Sequence, residues 1–253
     1  MKAKDIAAVI EAFAPLLDQE PWDNAGLCIG SPEAEVHGVL VGFDCSVALL
    51  HEAAARGADM VVTHHPLIFG GLKRIDPGDP VGAAVIEAVR RGIVVYAAHT
   101  NADKACGGVN SLMAGRLGLV EARALDESRL GMIGLLPAPM SGEAFCTLVK
   151  ERFSLKQLRC SAPVEEVRCV ATSCGAGASF AEQAFRAGAD AFVTGDVSYH
   201  RFFVPEGRMI VDIGHRESEL EIVSKFVSLL REKMPTFAVY TATSENNNPI
   251  YYY

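Results

Sequence analysis

The chain repeats itself, and that constrains its fold more than any other feature. The stretch GVLVGFDCSVALLHEAAARGADMVVTHH, starting at Gly38, aligns without gaps on CVATSCGAGASFAEQAFRAGADAFVTGD, starting at Cys169. They share Val39/Val170, Ala53/Ala184, the Gly-Ala-Asp trios at 57–59 and 188–190, Val62/Val193 and Thr63/Thr194. Farther on, GIVVYAAHTNAD (92–103) lies on RMIVDIGHRESE (208–219), which places His99 on His215 and Asp103 on Glu219. Self-similar stretches fold into the same supersecondary unit. Here that unit reads strand, helix, strand, loop, strand and a polar H-x-x-x-acid segment. The expected class is therefore α/β, with two pseudo-symmetric lobes around a central cleft. The boundaries expected are 1–117 for the first lobe, 118–165 for a Pro- and Gly-bearing connection, and 166–253 for the second lobe.

Within that frame, β-branched runs predict strands near 38–43, 59–63, 93–98, 131–136, 168–173, 190–194, 208–213 and 236–240. Helical spacing fits 3–17, 45–56, 80–91, 107–117, 141–152, 178–187 and 216–233, the last with Leu220, Ile222, Val223, Phe226, Val227, Leu229 and Leu230 on its apolar face. With 253 residues, half of them hydrophobic, burying a large core presents no difficulty.

Composition removes several classes of function. A net charge of −8 argues against a broad nucleic-acid footprint. No apolar run approaches the roughly 18–20 residues that span a bilayer. The seven cysteines form no CxxC, and the charged N-terminus MKAKDIAAVIEAFAPLL is unlike a signal peptide, so a reducing cytoplasm is expected. Walker, GxSxG and Rossmann motifs are missing from the sequence, which sets aside P-loop, serine-hydrolase and dinucleotide chemistry.

What remains is a set of polar groups at strand exits, where ligands collect in α/β sheets. His64 and His65 follow MVVT, His99 follows IVVYAA, Asp196 follows AFVTG and His215 follows MIVDIG. Successive side chains of an extended segment point apart, so His64 and His65 are expected to hold two neighbouring ions, one each. Asp103 and Glu219 supply carboxylates, and His215 with Glu219 at i, i+4 shares one helical face. This donor set suits zinc by default, with Fe, Mn, Co or Ni also compatible, and predicts two divalent metal ions per chain. His99 fits a ligand, a partner that orients Asp103 or a relic of the repeat, with the partner role preferred; His200 fits either a general acid or base over the cleft or a histidine packed on its own helix, and His51 reads as a surface residue. Asp23 and Asn24 in PWDNAGLCIG fit either an Asx turn or the cleft lining, and GGVNS (107–111) opens a helix whose N–H groups could accept a phosphate.

These residues stand in motifs that resemble the Ngg-interacting-factor-three-like family, whose bacterial members are known as type-2 homologues of GTP cyclohydrolase I. The motifs are DNAGL (23–27), THHPLIF (63–69), HTNADKACGGVN (99–110), TGDVSYH (194–200), GHRESE (214–219) and NNNPI (246–250), spread over nearly the whole chain in family order. The resemblance implies a dinuclear site on His64, His65, Asp103, His215 and Glu219, with Glu219 bridging. It further implies a toroidal homohexamer whose sites face an internal cavity, and, from the modest length of 118–165, no inserted domain.

The expected function is a metal-dependent hydrolase of a small nucleotide-like substrate, with GTP ring opening by metal-activated water as the case the family implies and with His200 and Asp196 as its catalytic residues. A dinuclear centre equally suits phosphoester hydrolysis. The rival from another class is a non-catalytic metal-binding or scaffold protein using the same five ligands.

Overall fold

The computed structural model describes residues 1–243 and 249–251; Asn246, Asn247 and Asn248 of the NNNPI motif lie outside the described residues. In chain order the first elements are α1 (Ala3–Phe13), β1 (Gly26–Ile29), β2 (Gly38–Val41), α2 (Val47–Ala55), β3 (Met60–Thr63), α3 (Pro80–Arg91), β4 (Val94–Ala97) and α4 (Thr100–Lys104). They are followed by α5 (Val109–Arg116), β5 (Val120–Ala124), β6 (Met132–Met140), α6 (Gly142–Phe153), β7 (Arg159–Cys160), β8 (Val167–Thr172), α7 (Ala181–Arg186), β9 (Ala191–Thr194), β10 (Met209–Asp212) and α8 (His215–Glu219). The chain closes with α9 (Glu221–Lys233) and β11 (Ala238–Thr241).

One compact unit comprises Met1–Ala105 with Ile222–Tyr253, and the other comprises Cys106–Glu221. The sequence boundaries differ from this division in two ways. Residues 118–165 are no connection: β5, β6 and β7 are strands of the second unit's sheet. The chain from Ile222 through β11 belongs to the first unit, because β11 runs parallel to β2 and completes that sheet's edge.

The repeat is visible in the topology of each unit. The first sheet has the order β1-β4-β3-β2-β11, with β4, β3, β2 and β11 parallel and β1 antiparallel to β4. The second has the order β5-β6-β8-β9-β10-β7, with β8, β9 and β10 parallel and β7 antiparallel to β10. So β7-β10-β9-β8 repeats β1-β4-β3-β2. Strands β2, β3, β4, β9 and β10 are buried along their full length, as parallel strands covered on both faces should be. The core between sheet and helices holds Leu40, Leu49, Val61, Val85 and Val95 in the first unit and Ile133, Ala171, Ala184, Phe192 and Ile210 in the second.

The Gly-Ala-Asp trios are a helix stop joined to a strand-register device. Gly57 (φ +69°) and Gly188 (φ +99°) take the positive φ that ends a helix. The next N–H groups, of Ala58 and Ala189, donate to the carbonyls of Ala53 and Ala184. Asp59 Oδ2 then accepts the His37 N–H, and Asp190 Oδ2 accepts those of Arg168 and Cys169. Each aspartate thus ties the entry of β2 or β8 to the strand that follows. Among the described residues, no helix is long and apolar enough to cross a membrane.

Candidate metal centre

In the first unit the donor groups gather just beyond β3 and β4. The strand ends at Thr63, and the N–H groups of His64 and His65 both donate to the Phe43 carbonyl, at 3.1 and 3.2 Å. That shared acceptor bends the chain, so the alternation expected of an extended segment does not apply. The two imidazole centroids lie 4.9 Å apart, with Phe43 stacked on His64 at 5.7 Å and edge-on to His65 at 4.7 Å. Ring nitrogens of His64, His65 and His99 all come within 4.8 Å of one another.

Each of these rings is oriented through Nδ1. His64, fully buried, has Nδ1 2.9 Å from the Ala98 carbonyl oxygen; His65 Nδ1 is 2.8 Å from Asp44 Oδ1; His99 Nδ1 is 2.8 Å from Asp23 Oδ1. An acceptor at Nδ1 fixes the proton there and presents the Nε2 lone pair, which is how metal-ligating histidines are commonly held. His64 Nε2 stands 3.5 Å from Asp103 Oδ1. Ligands with bonds of about 2.0–2.2 Å to one ion are separated by roughly 3.0–3.5 Å, so this pair is spaced to share a cation. Asp103 is set by α4, whose first turn includes the Asp103 N–H to His99 carbonyl bond at 3.0 Å. His99 therefore supports Asp103 through its backbone, while its ring Nδ1 is held by Asp23.

Asp23 is the electrostatic anchor of the first unit's donors. Its side chain is enclosed, and burial alone would raise its pKa. Hydrogen bonds from His99 and Thr100, the His99 charge and the Asn24 N–H outweigh that and hold the carboxyl at about 2. The Thr100 N–H donates to Asp23 Oδ2 at 3.0 Å, so one carboxylate locks both the His99 ring and the start of α4.

The second unit carries its own donor pair where β10 meets α8. Gly214 (φ +89°) turns the chain so that α8 begins at His215. His215 Nδ1 is 2.7 Å from Asp196 Oδ2, and its Nε2 is 3.1 Å from Glu219 Oε2, one helical turn on. The same carboxylate–imidazole logic recurs, with Glu219 in the place of Asp103. Two glycines leave the room. A Cβ at Gly175 (φ +56°) would stand 2.3 Å from Glu219 Oε1, and one at Gly195 would stand 2.8 Å from the Gly214 backbone and the His215 Cα. Gly195 is the repeat counterpart of His64, and the passage of the Gly214–His215 backbone is why no side chain fits there.

Asp196, read as catalytic, is the partner of His215 Nδ1. His200 is exposed on a single turn of 3-10 helix, Tyr199–Phe202; its ring meets Tyr199 and Phe203, and it borders a cavity of about 500 Å³ with Phe185, Arg186 and Arg208. His51 is exposed and pairs with Glu87 at 2.9 Å. Asn24 reaches across to the Ile68 carbonyl at 2.5 Å. The GGVNS helix start is there as α5, with Gly108 as its cap.

A model of the Duf34/NIF3 (NGG1p interacting factor 3) family matches residues 1–249. The chain belongs to this family. Duf34/NIF3 relatives from Clostridium perfringens and Clostridium acetobutylicum, both named GTP cyclohydrolase 1 type 2 homolog, are each 32% identical to it; the first covers 98% of both chains, the second 87% of this chain and 85% of the relative. The crystal structure of a Staphylococcus aureus hypothetical protein superposes with a TM-score of 0.89 at 25% identity, covering 100% of this chain and 99% of its own. A Bacillus cereus protein related to NIF3 shares the fold with a TM-score of 0.90.

For this Duf34/NIF3 chain, sequence reading missed Asp44, the partner of His65. A signal was present: Asp44 follows β2 at the strand exit and lies opposite Gly175 in the repeat. It also left the role of Asp23 open, since nothing local pairs it with a histidine 76 residues away.

Proposed function

We propose that the chain is a dinuclear-metal-dependent hydrolase of a nucleotide-like substrate, with His64, His65, Asp103, His215 and Glu219 as ligands and Glu219 as the bridge. The observation that carries this is the uniform preparation of the imidazoles. Nδ1 of His64, His65 and His215 each faces an acceptor at 2.7–2.9 Å, while a carboxylate stands 3.1–3.5 Å from Nε2 of His64 and of His215. Mixed imidazole and carboxylate donors favour zinc, with Fe, Mn, Co or Ni also suited. Bound there, such ions supply Lewis acidity and lower the pKa of water toward about 7. The chain's part is to hold the rings: Asp44 and Asp196 fix the His65 and His215 protons on Nδ1, and the Ala98 carbonyl does so for His64. His200 enters as the proton donor to the departing group on the reading of TGDVSYH alone. GTP as substrate rests on the names of the relatives, and a homohexamer on the family resemblance.

The test is metal content per chain on protein purified without chelator or nickel resin, with the same sample assayed against GTP and a generic phosphoester. Near two ions with metal-dependent formate release supports GTP ring opening, and phosphate release supports a phosphoesterase. Two ions without turnover moves the protein to metal handling, and no uptake after reconstitution sinks the proposal. Glu219→Gln should empty both sites together; unchanged metal content removes the bridge.

A further inference from the structure

Two motifs, PWDNAGLCIG and THHPLIFGG, carry residues that metal binding leaves unexplained. Trp22 and Phe69 are 57% and 55% exposed, although large aromatic rings dominate burial energetics when a fold can cover them. Their centroids lie 5.8 Å apart at an interplanar angle of 56°. Both stand edge-on to His99, at 6.3 and 5.9 Å, and His99 is itself 5.4 Å from the rings of His64 and His65. The exposed aromatic surface is thus continuous with the candidate ligands, all within one unit.

The two rings are also held in place. The Asp23 N–H donates to the Glu20 carbonyl and closes the turn that carries Trp22. Asn24 Nδ2 bonds the Ile68 carbonyl, pinning that turn to the residue before Phe69. Asp23 fixes His99 beneath them. A pair of rings clamped at an angle, open to solvent and bordered by the His99 imidazole, recognises a flat ring: its face stacks on one aromatic while its polar edge lies toward His99. An aliphatic ligand gains nothing from that arrangement.

We propose that Trp22 and Phe69 form a stacking platform for a planar nitrogen heteroaromatic, of the purine type, placed beside the metal ligands. This names the substrate class for the hydrolase reading and rests on it, but the platform binds by stacking and its occupancy does not require turnover.

Trp22 is the only tryptophan in the chain, so its emission reports on the platform alone. The experiment titrates the full-length protein, both metal-loaded and chelator-treated, with guanosine 5′-monophosphate and with ribose 5-phosphate as the ring-free control. A saturable change in Trp22 emission is expected with the nucleotide only, in both forms of the protein. Phe69→Ala should weaken it about 10-fold, and Phe69→Tyr should keep it within about 3-fold. An equal response to ribose 5-phosphate, no response, or one unmoved by Phe69→Ala overturns the platform. So does a blue-shifted emission that the nucleotide leaves unchanged and dilution abolishes, because a second copy of the chain then covers the rings. Ring-specific binding without metal-dependent turnover leaves the platform standing and removes the hydrolase; turnover without a ring-specific emission change does the reverse.

Discussion

At the residue scale, the histidines work only as well as the groups behind them. Asp44 and Asp196 both keep roughly half of their side chains in solvent, so replacing them leaves packing intact while freeing the ring they orient. Asp44→Asn and Asp196→Asn should each lower metal affinity about 10–100-fold, measured by chelator competition, with an unchanged circular dichroism spectrum. Loss of the folded signal in either variant would make these residues structural instead. Asp23 gives a pH prediction. Its folded pKa of about 2 lies below the ordinary carboxylate value, so its contribution is full above about pH 4 and is lost as pH falls toward 2. Urea midpoints of the wild type should drop across that window, and those of Asp23→Asn should drop less. What the sequence made legible here was the ligands, because His and acid at i, i+4 or at a strand exit are local patterns. Their partners were less so: Asp23 and His99 are 76 residues apart and Asp44 and His65 are 21 apart, and those meetings are created by strand pairing.

At the element scale, the repeat unit is stabilised by how its helices stop and its strands register. Gly188 has φ +99° with open space around the position of a Cβ, so a side chain there meets backbone strain and no clash. Gly188→Ala should cost about 1–2 kcal/mol, read from the urea midpoint, and a neutral result would show that the α7–β9 turn relaxes freely. The predicted long elements were found close to their expected spans because β-branched runs and apolar helix faces report burial directly. The expected helix 3–17 ends at Phe13, with a 3-10 turn at Leu16–Asp18, since Pro15 cannot continue it. The helix expected at 216–233 is two, α8 and α9, and β1, β5, β7 and α4 went unread. Those four are short, and β5 is largely exposed, so no apolar periodicity marks them.

At the scale of the whole molecule, the first unit is assembled from both ends of the chain. Ile222, Val223, Phe226, Val227 and Leu230 of α9 are buried, each worth about 1.5–3 kcal/mol, or about 7–15 kcal/mol in all. That equals the usual net stability of a domain. Truncation after Glu221 should therefore abolish amide protection in Met1–Ala105 while Cys106–Glu221 stays protected; protection retained in the first stretch would refute this division. If the ligands bind as proposed, free ion at 1,000 times its Kd adds about 4 kcal/mol, raising Tm by on the order of 10 °C in calorimetry. An unmoved Tm would place no metal in the native state. The sequence by itself determined the α/β class, the repeated strand–helix–strand unit and the identities of the metal-binding candidates, because each is written in local spacing. Only the tertiary structure decided that α9 and β11 return to the first unit, that aspartates remote in sequence hold the histidines, and that Trp22 meets Phe69 over His99. Those contacts depend on which strand edge remains open and which loops it carries together, and periodicity along the chain holds no record of that.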